Sequence, residues 1–288
     1  MSWRTIVITG VAKLDYQTGY LVVRERETKR IHLDDIETLI VESTAVSMTA
    51  HLLSELVKNK TKVIFCDEKR SPLSELVPYY GSHDTSAKIR NQIAWTEEKK
   101  AAIWTDIVRE KIRQQMLNLE KYGKVEAKML ERYISELEFG DETNREGHAA
   151  KVYFNALFGK KFNRSEDNAI NAALNYGYTL LLSAFSREVV ASGYITQIGL
   201  FHDNMFNRFN LASDIMEPFR PLVDDKVVSL APEKFEKEEK HEMIGLLTQE
   251  IVIGGRRETI PNAIRIYTRS VFDSLDDKGQ GSLRFYER

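Results

Sequence analysis

One cysteine in 288 residues excludes an intramolecular disulfide. Cys66 follows the apolar run Val63-Ile64-Phe65, the setting of a buried strand, and so thiol-poor a chain suits a reducing compartment. The amino terminus, Met1-Ser2-Trp3-Arg4-Thr5, lacks a basic region followed by an apolar core and a small-residue cleavage site. No secretory signal is therefore expected, and a cytoplasmic location follows. Long hydrophobic runs are scarce. Residues 168–186 carry no charge over 19 positions and approach the length of a membrane span, but Asn171, Asn175 and Gly177 interrupt them. They read as a buried helix, and no membrane association is expected. A Walker-type phosphate loop, a dinucleotide glycine fingerprint, paired-cysteine motifs and HExxH are all missing, as are internal repeats and low-complexity segments, which removes the enzyme classes built on them.

Excess positive charge is absent too. With 41 Lys and Arg against 43 Asp and Glu, the formal net charge is −2, which argues against a simple basic nucleic-acid binder. The distribution is uneven, however. Residues 87–124 hold nine bases against five acids, residues 151–164 hold four bases and no acid, and residues 214–250 hold ten acids against five bases. The basic segments are candidate phosphate-binding faces; the ordinary alternative is a solvated helix surface. The mixed-charge run Lys234 to His241 fits a solvated helix or loop.

What is present divides in two. Thr5-Ile6-Val7-Ile8, Tyr20-Leu21-Val22-Val23 and Glu37-Thr38-Leu39-Ile40-Val41 are rich in β-branched residues and bounded by Gly and Asp, so they predict strands. Met48 to Lys58 reads as a short amphipathic helix with Leu52, Leu53 and Leu56 on one face, and Thr61 to Cys66 returns to strand. Pro72, Pro78 and Gly81-Ser82 break the pattern and set a domain boundary near residue 82. From about Asp84 helical periodicity dominates, punctuated by Gly123, Gly140, Gly159 and Gly193. Strands first and helices afterwards predict an α+β chain: a β-rich domain over 1–82 and an all-helical domain over 83–288.

The residues able to carry chemistry lie in the second part. In the helix that follows Asn144, a repeat of about 100° places Glu146 on the apolar face with Ala150, Tyr153 and Leu157, opposite Lys151 and Asn155. Either the acid simply answers the helix dipole in the first turn, or it points inward and needs a cation or a metal. On the uncharged helix, Asn168, Asn171, Asn175 and Thr179 form one stripe, readable as a structural amide ladder or, with three Asn in register, as a polar cleft. His202 follows Gly199-Leu200-Phe201. Asp214 and Glu217, three apart, share a helical face that Pro218 breaks. Alone, His202 would be a satisfied core residue. Beside two carboxylates at a helix break, it completes a plausible hard-cation site.

The order and spacing of Glu146, His202, Asp214 and Glu217, with Ala173-Leu174-Asn175-Tyr176-Gly177-Tyr178 and Gly199-Leu200-Phe201-His202-Asp203, resemble the universal CRISPR-associated spacer-acquisition integrase. The run Asp214-Ile215-Met216-Glu217-Pro218-Phe219-Arg220-Pro221 and Leu39-Ile40-Val41-Glu42-Ser43 look like the version that accompanies the type II-A effector nuclease. The resemblance spans the whole chain.

It implies a prokaryotic, Mg²⁺- or Mn²⁺-dependent DNA integrase and endonuclease, in which a DNA 3′-hydroxyl attacks a phosphodiester of the CRISPR array. Glu146, His202 and Glu217 correspond to the catalytic metal ligands. Asp214 is either a ligand or a residue behind one, and because Glu217 stands where several branches have Asp, which of the two touches the ion stays open. One imidazole among oxygen ligands tilts the preference toward Mn²⁺. Asn168, Asn175, Tyr176, Lys160, Lys161 and Arg220 are candidates for supporting the ligands or binding DNA. The implied partners are double-stranded DNA (foreign fragment and CRISPR repeat), a second copy joined through the β domains, and a small dimeric adaptation protein. The effector nuclease and an accessory DNA-binding ring protein extend that set. Two other readings stand beside this one: a metal-dependent nuclease that only hydrolyses DNA or RNA, and a non-catalytic DNA-binding scaffold.

Overall fold

A computed structural model describes residues 4–76, 78, 82–277 and 282–287. Met1 to Trp3 and Gly81, which carried part of the terminus and boundary readings, lie outside the described residues. The first part holds β1 (Arg4–Ile8), β2 (Ala12–Gln17), β3 (Tyr20–Arg24), β4 (Thr28–His32), β5 (Ile36–Val41), β6 (Val46–Met48), α1 (Ala50–Lys58), β7 (Lys62–Cys66) and β8 (Pro72–Glu75). One sheet runs β4-β3-β2-β6 and the other β1-β5-β7-β8. In the second, β1, β5 and β7 are parallel and β8 returns antiparallel.

The central strand β5 is buried at all six positions, as a strand covered on both faces must be. Alternation explains the covering. Leu39, Val41 and Val63 face an N-terminal core with Leu14, Leu21, Leu52 and Leu56, while Ile40, Ile64 and Cys66 face the helices and join their core. The sequence boundary near residue 82 is therefore a change of secondary structure rather than a break in packing. Ion pairs and hydrogen bonds cross it as well: Arg187 reaches Glu37, and Ser183 donates to Glu75 at 2.9 Å.

The second part comprises α2 (Thr85–Ile93), α3 (Glu97–Lys121), α4 (Ala127–Ser135), α5 (Arg145–Phe158), α6 (Ala169–Ala191), α7 (Asn210–Ile215), α8 (Arg220–Leu230) and α9 (Lys237–Ile244). It ends with β9 (Glu250–Ile253), β10 (Arg256–Thr259), α10 (Ile260–Leu275) and β11 (Tyr286–Glu287). The uncharged segment is the buried α6, and among the described residues no helix is long and apolar enough to cross a membrane. Gly177 lets α8 and α9 close on it, since a Cβ there would stand 2.5 Å from Val223 Cγ1 and 2.7 Å from Met243 Cε. The mixed-charge run forms α9, started by a capping box between Glu236 and Glu239.

One expectation needs correction. The helical region is not all-helical, because β10-β9-β11 form a small antiparallel sheet at its end. Gly254 and Gly255, both at positive φ, turn the hairpin, and its strands of two to four residues are too short for alternation to announce them.

Candidate active site

The long helix α3 builds the floor. Trp104 and Lys111 are seven residues apart and so share its inward face. Trp104 stacks on Phe201 with ring centroids 4.6 Å apart and planes 3° from parallel, and the His202 ring stands nearly perpendicular to it with centroids 5.9 Å apart. Lys111, buried, directs its ammonium between two carboxylates that arrive from other elements.

Glu146 comes from the first turn of α5. Asn144 caps that helix through Gly147 N–H, and Asp141 accepts from the N–H groups of Arg145 at 2.6 Å and Glu146 at 3.1 Å, so the turn is pinned from outside. Glu146 Oε1 receives Lys111 Nζ at 2.5 Å. Of the two sequence readings, the inward one holds, and the required cation is Lys111. Glu217 lies in a 3₁₀ turn, Glu217–Phe219, where Pro218 interrupts the path from α7 to α8. Its Oε1 lies 2.8 Å from Arg220 Nε, and its Oε2 makes a close ion pair with Lys111 but lacks an aligned hydrogen bond. Burial pushes the Glu217 pKa up, yet Arg220 and Lys111 outweigh it and hold it below the usual carboxylate range. Burial likewise pulls Lys111 down, and Glu217 and Glu146 more than reverse this, so the ammonium stays charged.

His202 is oriented by Asp214. The loop 199–202 wraps the fully buried Asp214 carboxylate, which accepts from the N–H groups of Leu200 at 2.6 Å, Phe201 at 3.0 Å and His202 at 3.2 Å, and pairs with His202 Nδ1. Gly199 is needed for this wrap: a Cβ would meet His202 O at 2.4 Å and Asp214 Oδ2 at 2.7 Å. The Asp214 hydrogen bond raises the His202 pKa against the opposing effect of burial, and Asp214, Glu217 and Glu146 add their negative field. With its oxygens engaged four times, Asp214 has little left to offer an ion. It fixes the Nδ1 proton and leaves Nε2 as the free nitrogen.

Among the described residues no three His, Cys, Asp or Glu side chains are gathered tightly enough to form a ready-made metal cluster. Glu146 and Glu217 nevertheless suit a hard divalent cation, for both carboxylates turn to one positive centre and one oxygen of Glu217 is buried without a hydrogen bond.

The other sequence candidates divide. Arg220 is at the site, but it answers Glu217 and stacks over Tyr178 at 4.7 Å rather than standing free for DNA. The asparagine stripe is not an open cleft. Asn168 caps α6 through Asn171 N–H, and Arg164 donates to Asn171 Oδ1 at 2.5 Å and Asn175 Oδ1 at 2.8 Å, clamping the α5–α6 connection onto the helix. Tyr176 points the other way, buried against Phe235, with Cys66 and Glu42 raising its pKa after burial itself. In the basic segment 87–124, Lys100, Arg109, Arg113 and Lys121 pair with Glu97, Asp106, Glu110 and Asp225, and Lys99 with Asp277. That stretch is largely neutralised. Lys160 and Lys161 are exposed and enter none of these pairs. Sequence reasoning missed Lys111 and Trp104, although a lysine on the stripe Trp104, Ile107, Val108, Ile112 was a readable signal of a buried cation.

The family model described as CRISPR associated protein Cas1 matches residues 6–251. The CRISPR-associated endonuclease Cas1 of Neisseria meningitidis serogroup C (strain 8013) is 35% identical over 294 aligned positions, covering 100% of this chain and 97% of that protein. A casposase bound to integration product superposes with a TM-score of 0.78 at 18% identity, covering 98% of this chain and 92% of that one. A Cas6-RT-Cas1–Cas2 complex gives a TM-score of 0.72 at 19% identity over 96% of this chain and 35% of that one. At such identities the structural likeness speaks for the fold alone, whereas the sequence matches cover most or all of the chain: it belongs to the Cas1 family of CRISPR-associated proteins.

Proposed function

We propose that the chain is a divalent-metal-dependent DNA integrase and endonuclease of CRISPR adaptation, inserting short foreign DNA fragments into the array through attack of a DNA 3′-hydroxyl on a phosphodiester. The observation that carries this reading is the convergence of Glu146 and Glu217 on one cationic centre beside an Asp214-oriented His202. Glu146, His202 and Glu217 hold Mg²⁺ or Mn²⁺. Bound there, the ion supplies Lewis acidity at the phosphoryl oxygens and eases deprotonation of the attacking hydroxyl. Asp214 keeps the imidazole in one tautomer, Arg220 offsets the charge of Glu217, and Lys151, Lys160 and Lys161 meet DNA phosphates.

Kinship with the Neisseria endonuclease supports nuclease chemistry, and the shared fold with a casposase bound to integration product supports strand transfer. The motifs from Asp214 to Pro221 and from Leu39 to Ser43 favour the type II-A version. Full insertion requires two attacks on opposite strands, so two sites must be held at a fixed spacing. We assign the β-rich residues 1–82 as the dimerisation domain, joining two copies about a two-fold axis, with a small dimeric protein bridging two such pairs; the likeness to a Cas1–Cas2 complex supports this partner. The effector nuclease and an accessory ring protein complete the set, and the cytoplasm is the working compartment.

Strand transfer of pre-cut duplexes into a repeat-containing plasmid, in Mg²⁺, Mn²⁺ and chelator and with and without the small partner, tests the reading. Joined products that require metal are expected. Cut but never joined DNA would favour the hydrolytic nuclease, and binding that is equal in chelator with no product would favour a scaffold.

A further inference from the structure

Lys111 is unusual in where its charge lies. It is 8% exposed, sits in the middle of α3, and meets acids from two other elements, so no neighbouring turn of its own helix accounts for the contact. With Arg220 on the remaining oxygen of Glu217, the group of Lys111, Arg220, Glu146 and Glu217 holds two positive and two negative charges. It is neutral as it stands. A divalent ion placed where the two carboxylates converge would bond to Glu146 Oε1 and Glu217 Oε2, which already face the ammonium, with Nζ 2.5 Å from Glu146 Oε1. Metal–oxygen bonds of about 2.0–2.2 Å to the same oxygens leave no room for Nζ between them, and two cations there would repel strongly at low dielectric.

We propose that Lys111 is a resident cation of the site, exchanged for the divalent ion: its ammonium holds Glu146 and Glu217 convergent in the metal-free protein and withdraws when the ion binds. The inference rests on the metal-dependent reading above. It follows from geometry, because a lysine ammonium is a compact charge on a flexible four-carbon stem and can withdraw without moving α3. It also gives a reason for two carboxylates from different elements to converge on one point, where an uncompensated pair would repel.

The test compares full-length wild type with Lys111→Met and Lys111→Gln. Mn²⁺ binding is followed by the electron paramagnetic resonance signal of the free ion, and thermal melting is recorded in chelator and in saturating Mn²⁺. The variants should bind Mn²⁺ about tenfold tighter or more, since the ion no longer displaces a resident charge. In chelator they should melt below wild type, and Mn²⁺ should raise their melting temperature by more than it raises that of wild type. Unchanged or weaker Mn²⁺ affinity in folded variants overturns the exchange while leaving the metal reading intact; a wild type that takes up no Mn²⁺ overturns both. Should the variants fail to fold, the lysine NH₃⁺ resonances of wild type decide: the buried Lys111 signal in chelator must shift or disappear on adding Mg²⁺, and a signal indifferent to saturating Mg²⁺ overturns the proposal.

Discussion

Asp214 holds His202 by both its backbone and its ring: one buried carboxylate accepts the His202 N–H at 3.2 Å and pairs with Nδ1 of the same residue. Asp214→Asn keeps the shape but turns one acceptor into an NH₂ facing donors, which should cost about 1–3 kcal/mol of stability. DNA joining should fall roughly 10–100-fold, the usual effect of losing the partner behind a metal-binding histidine. In the metal-free variant the His202 pKa should drop, because its largest raising contribution has gone. Histidine titration by NMR checks this, and an unmoved pKa would contradict the orienting role.

Glu146→Ala, His202→Ala and Glu217→Ala should each abolish DNA joining, but they should not be equal in stability. Glu217 answers both Lys111 and Arg220, so its removal leaves buried positive charge and should cost about 3–5 kcal/mol. Glu146 and His202 are more exposed and should be milder. Chemical denaturation alongside joining assays separates the two effects, and wild-type joining by folded Glu146→Ala or Glu217→Ala would remove these residues from the site.

Asp224 should make stability depend on pH. Burial raises its pKa to about 6, against the hydrogen bonds of Tyr178 and Tyr153 that pull it down. A carboxyl raised in the folded state contributes its stability below the unfolded pKa of about 4 and loses it as pH rises through about 6. Relative to Asp224→Asn, wild type should therefore lose roughly 2–4 kcal/mol between pH 4 and 7. Urea melts of both proteins across that range read the difference, and parallel pH profiles would rule it out.

Lys160→Glu with Lys161→Glu should weaken duplex binding about equally for unrelated sequences and flatten the dependence of affinity on salt, because phosphate contacts carry no base code. Fluorescence anisotropy at several salt concentrations measures both. Substituting Arg109 and Arg113, already paired with Asp106 and Glu110, should do far less.

The succession of strands and then helices, the burial of α6, the placing of Glu146 on an apolar face and the helix break at Pro218 were legible in the chain alone, because period and proline act within one or two turns. So was the spacing of Glu146, His202, Asp214 and Glu217. Periodicity says that a face is covered, never what covers it. That Glu146 meets Lys111, 35 residues earlier, that Arg164 satisfies the buried Asn171, and that Asp214 is engaged by three backbone N–H groups and Nδ1 were settled by packing between separate elements. A buried charge or amide takes its partner from whichever element the core brings alongside, and that choice leaves no mark on the local pattern of either strand or helix.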